Sequence, residues 1–306
     1  MRNRTGACAS FPRARAVAQP LDLSKPPFRV NAGQAPGLVA EDFIACFQVV
    51  ALLPNKVGTC VRAAFEAAGI GSETPLRAAG CRIADDMDAG VGAGRTNPYH
   101  NTQHFCEVLL SALYLTLLAR ATQQQAAEVL IAALAHDFHH DGSKNMNATF
   151  RLESLSAQAT APYLEAAGVS PEVRARVAAM VFATEVARGT RFARDCYLHF
   201  TAGAPLPSRS DLPDALALLA TDADLALEAV IVGEADVLSS AGLTVQYGEL
   251  QQERLAREWK QPLGAEHKLR FLNQVFQDFT VGRFFSPNLR ALKDAARDRA
   301  EREHGS

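Results

Sequence analysis

The 306-residue chain has no excess of charge, no paired cysteines and no long apolar run. Its 31 Lys+Arg oppose 33 Asp+Glu for a formal net charge of −2. That balance removes the electrostatic case for nucleic acid or an anionic membrane as a partner. Six cysteines (Cys8, Cys46, Cys60, Cys81, Cys106, Cys196) are scattered without a Cys-x-x-Cys pair. A disulfide scaffold or zinc ribbon is therefore excluded, and buried thiols in a reducing, cytoplasmic compartment are expected. The longest apolar stretch, Phe43 to Leu53, includes Gln48 and falls well short of the roughly 20 residues of a bilayer-spanning helix. Acids are missing before Asp22, while Arg2, Arg4, Arg13 and Arg15 are interspersed with Pro12, Pro20, Pro26, Pro27 and Pro36. Residues 1–39 are expected to form a flexible leader, with no continuous apolar core of the kind a secretory signal carries.

What is present is 48% hydrophobic residues, enough for one sizeable core without disulfide support. The pattern from residue 40 is helical in period and poor in β-branched alternation, so the expected fold is all-α, a compact multi-helix bundle over 40–290 followed by a charged C-terminal tail over 291–306. The segments 107–118 and 126–136 are apolar on more than one face, as central helices are. Further helices are expected over 41–53, 59–68, 152–167, 171–187, 213–232, 246–258 and 266–285. Ser170-Pro171 supplies a cap with proline at the first helical position, and residues 90–94 and 201–213 are expected loops.

Five of the eight histidines fall between positions 100 and 140. Tyr99-His100-Asn101-Thr102-Gln103-His104 puts two imidazoles one helical turn apart. His136-Asp137-Phe138-His139-His140-Asp141-Gly142-Ser143-Lys144-Asn145 places a second group at the end of a buried helix. Neutral imidazoles beside ionised carboxylates in such a setting suit a divalent cation. A third group, Thr221-Asp222-Ala223-Asp224-Leu225, offers a carboxylate from an otherwise apolar helix, and either Asp222 or Asp224 could complete a two-His, two-Asp site with positions open to water. Isolated histidines such as His199 and His267 read as packing residues, and Trp259 carries no signal.

The first two groups resemble the Y-H-N-x-x-H and H-D-x-x-H-x-G-x-x-N motifs of class I cyclic nucleotide phosphodiesterases, members of the HD metal-dependent phosphohydrolase superfamily. Ala223-Asp224-Leu225 resembles the family's A-D-L segment, and the resemblance runs from about residue 97 to 287. It implies an all-α catalytic domain in which His104, His136, Asp137 and Asp224 hold a tightly bound zinc, with Asp137 shared with a second Mg²⁺ or Mn²⁺. His100 would be the general acid, His140 would hydrogen bond to metal-bound water, Glu153 would orient a metal ligand or His100, and Asn273, Gln274 and Phe276 would meet the base. Asn273 falls where the family carries a glutamine, and Thr221-Asp222-Ala223-Asp224 departs from the family's H-C-A-D. The expected partner is a small-molecule phosphate ester, a cyclic nucleotide first. The alternatives are a phosphohydrolase acting on a nucleotide monoester and a non-catalytic binding module. The oligomeric state is left open.

Overall fold

The computed structural model describes residues 21–31, 33–92, 96–145, 148–275 and 288–304. All regular secondary structure among the described residues is helical, with no strand. Twelve α-helices are described: α1 Pro36–Ala51, α2 Lys56–Ala67, α3 Pro75–Ala89, α4 Thr102–Ala119, α5 Gln123–Ala135, α6 Arg151–Ala166, α7 Pro171–Ala183, α8 Gly189–Ala202, α9 Ala223–Ala241, α10 Val245–Glu258, α11 Ala265–Gln274 and α12 Asn288–His304. A 3-10 segment, Asp214–Ala220, precedes α9.

Local chemistry sets the starts. Asn101 caps α4 by accepting from the backbone of Gln103 and His104. Thr122 and Gln125 form a reciprocal capping box on α5, and Ser170, Asp222 and Thr244 cap α7, α9 and α10. Each satisfies backbone N–H groups that a helix start leaves without partners.

α4 and α9 pack against each other at the centre, with α2, α5, α7, α8 and α10 around them. From His104 to Leu113 every α4 residue is buried, so this helix needs no polar face. α4 is long and apolar enough to cross a membrane by those measures alone, yet 67% of it is buried inside the bundle. Its apolar faces are used in the core, as the all-round hydrophobicity of 107–118 implies.

Three departures from the sequence pattern are physical. α3 and α8, not expected from the sequence, bury mixed faces: Leu76, Ile83 and Met87 beside Ala79, Gly80 and Ala84 in α3, and Phe192, Cys196 and Tyr197 beside Gly189, Thr190 and Ala193 in α8. The helix expected over 213–232 breaks at Thr221, where Asp222 caps a new helix that runs on to Ala241. The ends of the chain also differ. Residues 1–20 of the expected leader lie outside the described residues, but Leu23 and Phe28 are buried, with Phe28 edge-on to Phe43 at 6.0 Å. The expected charged tail is helix α12, whose Leu292 and Ala296 pack on Val237, Ala241, Leu272 and Val275.

Candidate metal centre

Three helices deliver four donor atoms to one point. The Asn101 cap fixes His104 in the first turn of α4. His136 terminates α5, and its Nδ1 meets the Ala133 carbonyl at 2.8 Å. A carbonyl only accepts, so Nδ1 carries the proton and Nε2 presents a lone pair. Asp137 follows in sequence, and Asp236 enters from the middle of α9. His104 Nε2 lies 3.5 Å from Asp137 Oδ2 and 3.3 Å from Asp236 Oδ1, and His136 Nε2 lies 3.2 and 3.4 Å from the same two oxygens. Both Nε2 atoms are buried without a hydrogen-bond partner.

This donor set fits a divalent cation. Ligands about 2.0–2.1 Å from a tetrahedral ion stand about 3.3–3.4 Å apart, and the four imidazole–carboxylate separations bracket that value. The electrostatics agree. Burial disfavours charge on His104, yet Asp137 and Asp236 outweigh it and raise its pKa to about 9. His136 is raised in the same way, against the same burial. Burial opposes ionisation of Asp137 and Asp236, but the surrounding histidines hold both well below the ordinary carboxylate range. The pocket therefore favours a compact positive charge between the two acids, which a cation supplies without protonating the imidazoles.

A second group lies alongside. Donor atoms of His100, His140 and Glu258 fall within 4.8 Å of one another. Glu258, at the end of α10, accepts from the backbone N–H of Tyr99 at 2.8 Å and of His100 at 2.9 Å, and also from His100 Nδ1. His100 Nε2 then sits 3.7 Å from Asp137 Oδ2. The His140 ring stacks on His100 at 3.7 Å between centroids. Its Nδ1 accepts from Gly142 N–H at 3.0 Å, a contact made at a glycine φ of 78°. Burial, reinforced by His100 and partly offset by Asp137, lowers His140 to about 4, so it stays neutral at physiological pH.

Beside His100 and Asp236 opens a cleft of ≈260 Å³ with apolar walls from Val186, Val237, Leu255, Leu263, Trp259 and Phe271.

No protein-family model matches the sequence, and no curated protein matches it by sequence. Solved structures do match. The phosphodiesterase domain of the RhoPDE fusion protein from the choanoflagellate Salpingoeca rosetta is 17% identical, covering 90% of this chain and 95% of that one, at a TM-score of 0.56. The phosphodiesterase domain of Salpingoeca rosetta rhodopsin phosphodiesterase is 18% identical over 87% and 89% of the two chains, at 0.57. LmjPDEB1 in complex with IBMX is 13% identical over 95% and 98%, also at 0.57.

The fold is that of a phosphodiesterase catalytic domain. On this phosphodiesterase fold His104, His136 and Asp137 converge, but the fourth donor is Asp236, which corrects the expectation of Asp224. Asp224 is exposed in the first turn of α9, twelve residues and about 18 Å of helix away from Asp236. Asp222 is no ligand either: it caps α9 through Leu225 N–H at 2.9 Å and pairs with Arg176. A signal for the right residue was present. Thr221–Asp224 reads as a helix start, where acids favour the positive end of the dipole, whereas Ala235-Asp236-Val237 repeats the Ala-Asp-apolar pattern inside an apolar helix.

Glu258 gave no comparable signal, since it ends an amphipathic helix rich in acids. Glu153 does not touch His100. It accepts from Asn145 Nδ2 at 3.0 and 3.3 Å, and burial raises it to about 7. Neither Asn273 nor Gln274 lies on the cleft wall. The Gln274 amide donates to the Val186 carbonyl at 2.8 Å, and Phe276 lies outside the described residues.

Proposed function

We propose that the protein is a metal-dependent phosphoric ester hydrolase that opens a 3′,5′-cyclic nucleotide to the 5′-monophosphate. The observation that carries this reading is the convergence of His104, His136, Asp137 and Asp236 on one point, with His100 Nε2 3.7 Å from Asp137 Oδ2. In this reading the four residues would hold zinc, and Asp137 would also serve a second site for Mg²⁺ or Mn²⁺. Bound divalent cations supply Lewis-acid polarisation of the phosphate and a lowered pKa for water.

The protein's own groups set the proton traffic. Glu258 fixes His100 Nδ1 and its backbone N–H, so Nε2 is the nitrogen that delivers a proton to the departing ribose oxygen. His140, neutral and stacked on the ring, holds the imidazole plane. The apolar cleft next to His100 receives the organic part of the ester and excludes water from it.

A second reading keeps the metals and makes the substrate a nucleotide monoester. It is favoured by the placement of Asn273 and Gln274 off the cleft wall. Product analysis separates the two. Protein loaded with Mn²⁺ or Mg²⁺ is incubated with cyclic AMP, cyclic GMP and nucleotide monoesters, with Asp137→Ala as control. A 5′-monophosphate formed from a cyclic nucleotide and lost in the control supports the first reading. Phosphate released from monoesters alone overturns it in favour of the second, and silence across the panel from metal-loaded protein overturns both.

A further inference from the structure

Glu107, on α4 seven residues after His100, is buried, and the chemistry proposed for the metal centre makes no use of it. Its carboxylate is met from one stripe of α10. Tyr247 Oη donates to Oε1 at 2.7 Å and the Gln251 amide to Oε2 at 2.7 Å, while the Arg254 guanidinium stands 3.7 Å from Oε1. On α4 itself the Gln103 amide donates to Oε1 at 3.1 Å. Spacings of four and three residues put Tyr247, Gln251 and Arg254 on one face of α10, and the next position of that stripe, four residues on, is Glu258. Glu258 reaches back to the start of α4, where it takes the backbone N–H of Tyr99 and of His100 and the His100 ring. Gln251 and Glu258 are seven residues apart, as Glu107 and His100 are, so the pairing runs antiparallel. Glu107 therefore fixes the rotation and slide of α10 about 10 Å along its axis from Glu258. A buried carboxylate is costly to leave without donors, so a turn or slip of α10 that releases Glu107 is opposed.

We propose that Glu107 is a positioning residue for His100, acting through Glu258. It holds α10 in the register that presents the Glu258 carboxylate to His100 Nδ1, and it thereby keeps Nε2 directed at Asp137 and at the departing ester oxygen. This rests on reading His100 as the proton donor of a phosphoric ester hydrolase. Among the described residues the side-chain hydrogen bonds of Glu107 go to Gln103, Tyr247 and Gln251, so its replacement is expected to leave the metal donors in place. A residue that only stabilised the fold would change how much protein is folded, whereas a positioning residue changes the turnover of the protein that is.

Two readouts on the full chain, loaded with Zn²⁺ and Mg²⁺, test this. The first needs no turnover. In protein carrying ¹⁵N-histidine, the Nδ1–H of His100, assigned by its loss in His100→Asn, is expected to exchange with solvent at least about tenfold faster in Glu107→Gln than in the wild type. The second is kinetic. Glu107→Gln is expected to lower kcat by about 10- to 100-fold with KM within about twofold and metal content, by elemental analysis, unchanged. Tyr247→Phe, which keeps the ring and removes one donor, is expected to lower kcat by about two- to fivefold. Because Glu107 acts through Glu258, adding Glu107→Gln to Glu258→Gln is expected to cost less than about twofold more. Wild-type exchange of the His100 proton in Glu107→Gln, a loss confined to KM, or losses that multiply in the double variant overturn the proposal. If Glu107→Gln does not fold, Tyr247→Phe carries both readouts, and wild-type exchange and kcat in that variant overturn it. Hydrolysis by the wild type with an unmoved His100 signal in Glu107→Gln removes this proposal and leaves the hydrolase. A moved signal in a chain that cleaves no ester supports the link from Glu107 to His100 and removes the hydrolase.

Discussion

Glu258 and His100 meet across 158 positions of sequence, and the carboxylate of one takes both the ring Nδ1 and the backbone N–H of the other. Burial raises the pKa of Glu258, but these hydrogen bonds outweigh it and keep the group ionised. A side chain that fixes both the ring and the start of α4 is placed to orient an acid catalyst rather than to bind metal. Glu258→Gln is expected to lower kcat by about 10- to 100-fold while metal content, read by elemental analysis, stays at the wild-type level. A matching loss of metal would assign Glu258 to the metal shell instead.

The choice between the three candidate aspartates is open to a direct comparison. Asp236→Asn is expected to weaken metal binding by at least about tenfold, because the remaining three donors leave one edge of the site open. Asp224→Asn is expected to bind metal normally. Asp222→Ala is expected to retain metal but to lose about 1 kcal/mol of stability as the α9 cap is removed. Metal retention in Asp236→Asn, measured after dialysis, would overturn this assignment.

Metal should stabilise the fold, because the donors come from α4, α5 and α9 and converge only when those helices are packed. At a free metal concentration 100 times Kd the expected gain is about 2.7 kcal/mol. Thermal denaturation with and without chelator is the measurement, and Asp137→Asn should show no difference between the two conditions.

A separate buried network makes stability fall with pH. Arg176 serves Glu128, Glu228 and Asp222 together, so one guanidinium answers three acids. Burial raises Glu228 from 4.5 to about 8, although Arg176 opposes it. A carboxyl whose folded pKa lies above its unfolded value holds its proton in the folded state. Its contribution is complete below about pH 4.5 and is lost as pH rises toward 8. Glu228→Gln is therefore expected to flatten the decline of unfolding free energy between pH 5 and 8, followed by urea titration. Arg176→Met, which strands the buried acids, is expected to cost about 3–5 kcal/mol.

Much of the fold was legible because it is local. The cap at Ser170, the apolar faces of α4 and α5, and the two histidine segments are each written within a few residues, where side-chain spacing and backbone hydrogen bonding decide. α3 and α8 were missed although Leu76, Ile83 and Met87 in one and Phe192, Cys196 and Tyr197 in the other are buried along one face, because the small and charged residues between them dilute the pattern. In the charged C-terminal helix α12 a few apolar positions suffice for packing when a partner surface exists, as Leu292 and Ala296 show.

Residue order over a few helical turns is enough to specify a helical protein with histidines and acids collected at the ends of buried helices. Helix packing selects which aspartate reaches them, which glutamate orients His100, and the turn of the Gln274 amide to Val186. The reason is geometric. A contact between residues more than a hundred positions apart depends on the rotation and depth of each packed helix, and twelve residues along α9 move a carboxylate by about 18 Å and to a different face.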